Sequence, residues 1–137
     1  MSPRAAPLRW LLAGLAASAA VPGAWALLAP RSFYLDFPGT GHWVARLPAY
    51  SEHLVTDAGA FYLAFALLFA WAAIRPARAL VAPLAAAWSL FSVLHLSWHS
   101  AHLEAFGTAD AVAQTASLAA VLAASAVAVH LARASGP

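Results

Sequence analysis

Residues 54–98 read LVTDAGAFYLAFALLFAWAAIRPARALVAPLAAAWSLFSVLHLSW. Two apolar runs flank one short polar turn, Arg75-Pro76-Ala77-Arg78. A helix needs about 20 mainly apolar residues to cross the hydrocarbon of a bilayer, and each run is of that order. The stretch therefore reads as two spanning helices joined by a tight turn. Two more such runs lie outside it. The four spans are expected at about 8–29, 54–74, 80–98 and 111–131. Residues 30–53, rich in Pro, Gly and aromatics, form the long connection between the first two. Its Trp and Tyr suit a membrane interface. The expected fold class is all-α: one integral-membrane four-helix bundle occupying residues 1–137.

Composition agrees. The chain is 64% hydrophobic and 9% charged, and its mean hydropathy is +0.76. A soluble surface needs far more charge. The formal net charge is only +2 and the arginines are scattered singly, which excludes a nucleic-acid surface. Cysteine is absent, which excludes disulfides, thiolate metal sites and CxxC redox chemistry. Met1 is the single methionine, so a soft sulfur copper site is excluded too.

Arginine sets the expected orientation. Arg4, Arg9, Arg75, Arg78 and Arg133 fall on one side of a four-span topology, and Arg31 and Arg46 on the other. Positive charge is retained on the cytoplasmic side, so both termini are expected there, in the plasma membrane. Arg4 and Arg9 followed by an apolar run and Ala24-Trp25-Ala26 also outline a cleavable signal peptide. Leu27-Leu28-Ala29 continue the apolar run past that cut and favour a retained helix. Asp36, Glu52, Asp57, Glu104 and Asp110 then all lie on the outer side. So do His42, His53, His95, His99 and His102, while His130 lies at the inner end. A polar locus at the outer face follows.

Helical spacing groups these residues. Positions i, i+3, i+4 and i+7 share a face. His95, His99 and His102 form one stripe, which Trp88 and Ser92 extend inward. His53 and Asp57 form a second, and Asp110, Gln114 and Ser117 a third. Polar side chains in a span turn toward the bundle interior and pair. The tight turn makes the second and third spans antiparallel neighbours, so the three stripes are expected to meet.

The sharpest chemistry for that set is a metal site. Imidazoles with a carboxylate suit a divalent transition metal such as Zn, Fe or Cu. The expected ligands are His53, Asp57, His95, His99 and His102, with Glu52, Glu104, Asp110 and Gln114 behind them as orienting groups. A b-type haem held by His53 with His95 or His99 is less natural beside Asp57. Two readings of other classes stand against a metal. Asp57 and the histidines could relay protons coupled to a small solute. The cluster could equally be a structural polar layer or a surface for an oligomer or membrane partner. His42 and His130 are expected to be incidental, and Ser89 and Ser125 to bond back to their own helices.

FYLDFPGTGHW, YSEHLVTDAGAFYLA, HLSWHSAHLE and DAVAQTASL together resemble a group of small four-span membrane proteins from actinobacteria. In general shape the chain is also similar to small four-helix membrane families of the DoxX type. The resemblance implies the topology and the plasma membrane, and no activity.

Overall fold

The computed structural model describes residues 5–47 and 49–134; Arg4, used above for orientation, lies outside them. Five α-helices and two short 3-10 turns follow one another, with no strand among the described residues. They are α1 (Ala5–Leu28), α2 (Pro30–Asp36), α3 (Glu52–Ile74), α4 (Arg78–Ser100) and α5 (Thr108–Ala134). The 3-10 turns are Val44–Arg46 and Leu103–Ala105. α1, α3, α4 and α5 are the four expected spans, and each is long and apolar enough to cross a membrane. Large apolar side chains such as Trp10, Leu28, Leu67 and Leu90 point outward from them. That outward surface suits lipid as solvent. The chain is thus a small multi-pass membrane protein.

The sequence reading missed α2, inside the connection. Pro30 opens it with a ring that fixes φ and lacks an N–H that would in any case have no partner. Phe33 and Phe37, one turn apart, set their rings edge-on against Trp25 of α1. Trp25 Nε1 donates to Ser32 Oγ at 3.2 Å, and Ser32 donates to Asp36 at 2.9 Å. This folds the connection back onto α1.

The helices alternate in direction, and their neighbours run α1, α3, α4, α5 and back to α1. Arg9 donates to the Ile74 carbonyl at 3.2 Å, which sets the start of α1 beside the end of α3. The closest pairs are α1 with α3 and α4 with α5. At the α1–α3 crossing, Gly23 faces Gly59. A Cβ on Gly59 would meet Leu27 N at 2.6 Å and Gly23 O at 2.9 Å. Small residues let backbones approach this closely where no aqueous hydrophobic effect drives association.

α3 and α4 correct an expectation. Their turn is short, yet their backbones scarcely touch. Aromatic rings hold them apart: Tyr62, Phe65 and Phe69 of α3 pack on Trp88, and Phe61 and Tyr62 on Phe91. A tight turn fixes the order of two helices. The size of the side chains between them fixes the distance.

The bundle is solid in one half only. Its buried core draws on the first half of α1 (Leu8, Leu12, Leu15), the end of α3 (Phe69, Ala72), the start of α4 (Val81, Leu84, Ala85) and the end of α5 (Ala128, Ala132). All of these lie toward the end that carries Arg9 and Arg75. The other half is hollow.

Candidate functional site

The hollow half holds a cavity of about 550 Å³. Its origin is steric. Aromatics set a wide gap between the α1–α3 pair and the α4–α5 pair. The facing residues are mostly small: Ala17, Ser18 and Ala26 on α1, with Val21 and Pro22 among them, and Ala58 and Gly59 on α3. Small side chains across a wide gap leave volume unfilled. Tyr62, Leu118 and Val121 complete the helical walls. Phe33, Phe37, Trp43, Val44 and Leu47 of the connection cover the end.

The cover is latched to α5. Asp110, in the first turn of α5, accepts from Trp43 Nε1 at 3.1 Å and from Arg46 at 3.0 Å. Arg46 also lies 5.8 Å from the Phe106 ring. His42, expected to be incidental, closes the loop: its Nδ1 donates to the Leu35 carbonyl at 2.6 Å. Its φ of 53° is in the left-handed region. Ala17, Val21, Ala58 and Ser117 line the cavity while staying exposed, so it opens to its surroundings.

One polar ladder runs along the α4 wall, and it is the stripe read from the sequence. Trp88, Ser92, His95 and His99 all line the cavity. His95 stacks on Phe91 with ring centres 5.3 Å apart and meets the edge of His99 at 4.5 Å. His99 Nδ1 lies 3.1 Å from Gln114 Oε1 of α5. A carbonyl oxygen only accepts, so Nδ1 carries the proton and Nε2 is left as an acceptor. Gln114 is buried at 4% exposure, so this bond fixes the imidazole plane within the bundle.

The other expected members are not gathered here. His102 has left α4, which ends at Ser100, and its φ of −128° takes it off the helical face. Its ring stacks on Trp98 at 4.1 Å, and Nδ1 donates to the Trp98 carbonyl at 2.7 Å. His53 and Asp57 do pair, at 3.3 Å, but with 81% and 63% of their side chains exposed. Among the described residues they make no hydrogen bond or ring contact with the histidines of α4. Glu52 accepts from Tyr50 at 3.3 Å. Loss of solvent around the Tyr50 phenol, then the Glu52 carboxylate, raises its pKa above the ordinary value. Glu104 is exposed in the second 3-10 turn, and Asp110 serves the latch. Among the described residues, no three His, Asp or Glu side chains form a group able to hold a metal ion. The stripes converge as a pair, α4 with α5, and not as three.

No protein-family model matches the chain, and no curated protein or solved structure is found similar to it. The functional reading rests on the cavity itself. Its described walls contain no Asp, Glu, Lys or Arg. Burying an ion there would be costly, so the cavity suits a neutral molecule. Sequence reasoning picked out Gln114 and Ser117 of the α5 wall but missed the lining from α1 and α3, because alanine and glycine carry no chemical signal. Only their position opposite the aromatic spacers makes them matter.

Proposed function

We propose that this small membrane protein binds a largely apolar small molecule in the hollow half of its bundle, with the polar ladder of α4 at one wall. The arginine bias supports placing that half on the extracytoplasmic side of the plasma membrane. The observation that carries the reading is the cavity of about 550 Å³, with mostly apolar walls and its polar groups concentrated on α4 and α5. Ligand sites in proteins have this size and this character. Apolar walls give water few partners, and an apolar occupant needs none.

The fixed His99–Gln114 pair gives the site a defined polar edge, and the loop latched at Asp110 covers one end. Binding of a lipid-soluble small molecule is the role these features serve.

The test is saturable binding. The protein in lipid nanodiscs is titrated with fluorene, an uncharged aromatic hydrocarbon, beside the double variant Ala17→Phe/Ser117→Phe. Both positions line the cavity and are exposed, so phenyl rings enter the space without displacing buried side chains. The expected result is one saturable site per chain in the wild type and only lipid partitioning in the variant. Identical partitioning in both would refute the proposal.

A further inference from the structure

The solid half of the bundle ends in three arginines that leave the chain at one corner. Arg9 Nη2 donates to the Ile74 carbonyl at 3.2 Å, and Arg75 is the next residue. The Ala77 N–H donates to the Arg75 carbonyl at 2.8 Å, so the turn is tight and Arg78 starts α4 beside it. All three arginines are exposed. The acidic residues Asp36, Glu52, Asp57, Glu104 and Asp110 lie toward the opposite end of the bundle. Among the described residues, no carboxylate pairs with Arg9, Arg75 or Arg78. A guanidinium carries five N–H donors. Arg9 gives one to Ile74, Arg75 lies 5.3 Å from the Trp71 ring, and Arg78 has no side-chain partner among the described residues. Helix stability does not account for Arg78. It opens α4, where the helix dipole disfavours a cation, and neither an acidic residue in the first turn nor a capping side chain offsets it.

We propose that this corner is a second binding site, independent of the cavity, for the phosphate of an anionic phospholipid held by Arg9, Arg75 and Arg78. Guanidinium forks match phosphate oxygens in geometry as well as charge. The level in the membrane fits. Trp10, next to Arg9, is 78% exposed, and Trp71, one turn before Arg75, is 54% exposed; indoles at a span end favour the headgroup layer. Exposed Leu67 and Leu68 of α3 lie one further turn into the span and give an acyl chain apolar surface. A free phosphate ion could use the same donors but not that surface. A net-negative headgroup is favoured over phosphocholine, because no carboxylate among the described residues stands at this corner to receive the choline cation. The arginine bias supports a cytoplasmic position for this end, and cytoplasmic leaflets carry anionic lipid.

The experiment is native mass spectrometry of the full chain in mild detergent, titrated with dioleoyl phosphatidylglycerol or dioleoyl phosphatidylcholine, and with inorganic phosphate as competitor. The expected result is one phosphatidylglycerol per chain, held about tenfold more tightly than phosphatidylcholine and retained against an equal concentration of inorganic phosphate. Arg75→Gln and Arg78→Gln are each expected to weaken phosphatidylglycerol about tenfold, the loss of a charge-assisted hydrogen bond. Both side chains are exposed, so the fold is expected to survive, and thermal unfolding of each variant checks this. Arg31→Gln removes the same charge from an exposed position at the opposite end and is expected to change the affinity by less than about twofold. Equal binding of the two phospholipids overturns the proposal. A loss on Arg31→Gln as large as on Arg78→Gln overturns it too, since net charge and not the corner would then select the lipid. Displacement by an equal concentration of inorganic phosphate overturns the lipid as the occupant.

Discussion

Replacing Gly59 by alanine tests how α1 and α3 are held together. The added Cβ would lie 2.6 Å from the backbone nitrogen of Leu27 and 2.9 Å from the Gly23 carbonyl oxygen. Ordinary contact begins near 3.4 Å, so α1 must retreat by several tenths of an ångström. The obstacle is backbone, which has no rotamer to change. Overpacking of this kind costs about 1–3 kcal/mol. Alanine returns roughly 0.5–1 kcal/mol through its better helix propensity. The net expectation is a loss of up to about 2.5 kcal/mol, the difference of those two terms. Gly14 is the internal control. It lies in α1, and a Cβ there would meet nothing within 4 Å. Gly14→Ala is therefore expected to stabilise by up to about 1 kcal/mol. The assay is reversible unfolding in mixed micelles, followed by tryptophan fluorescence, with both variants measured beside the wild type. A Gly59→Ala protein as stable as Gly14→Ala would refute the close crossing of α1 and α3.

Other substitutions probe the remaining contacts. Asp110→Ala removes the acceptor shared by Trp43 and Arg46; the half-exposed ion pair is worth about 0–1 kcal/mol, so global stability is expected to change little while amide exchange in residues 37–47 rises several-fold. Gln114→Leu takes away the partner of His99 and is expected to cost about 1–3 kcal/mol; a ¹⁵N spectrum of the imidazole should then lose its single Nδ1–H tautomer. Ser89 Oγ lies 2.9 Å from Ser125 Oγ across α4 and α5; with Ser125 donating to Leu122, the single Ser89 proton serves either the Ala85 carbonyl or Ser125, and a double-mutant cycle to alanine is expected to give a coupling of no more than about 0.6 kcal/mol, the usual size for such bonds in membranes. His53→Ala removes only an exposed pair and is expected to change stability by less than about 0.5 kcal/mol and to leave fluorene binding as it was.

Much of the fold was legible because apolar run length is a direct readout of bilayer thickness. The four spans fall within a few residues of their expected bounds, and helices α3 and α4 flank the Arg75–Arg78 turn as read. The stripe Trp88, Ser92, His95, His99 was legible for a similar reason: it lies on one continuous helix, where spacing alone fixes the face. His102 fell outside that logic because the helix ends two residues before it. Convergence between helices was not legible. It depends on interaxial distance, and the short turn suggested a close α3–α4 pair. The aromatics Tyr62, Phe65 and Trp88 are the spacers that set this distance. Ser89 and Ser125 do bond back to their own helices as expected. Their bond to each other needed the α4–α5 distance as well. Helix α2 was missed because seven residues with Pro at the start carry too few periods to stand out from a loop.

The most direct test asks what the protein carries from its own membrane. Wild type and the Ala17→Phe/Ser117→Phe variant are purified in the same mild detergent, and their organic extracts are compared by mass spectrometry. The expected result is one neutral lipophile near one equivalent per chain in the wild type, strongly depleted in the variant. An extract of bulk lipids alone, identical for the two proteins, would contradict the cavity as a binding site.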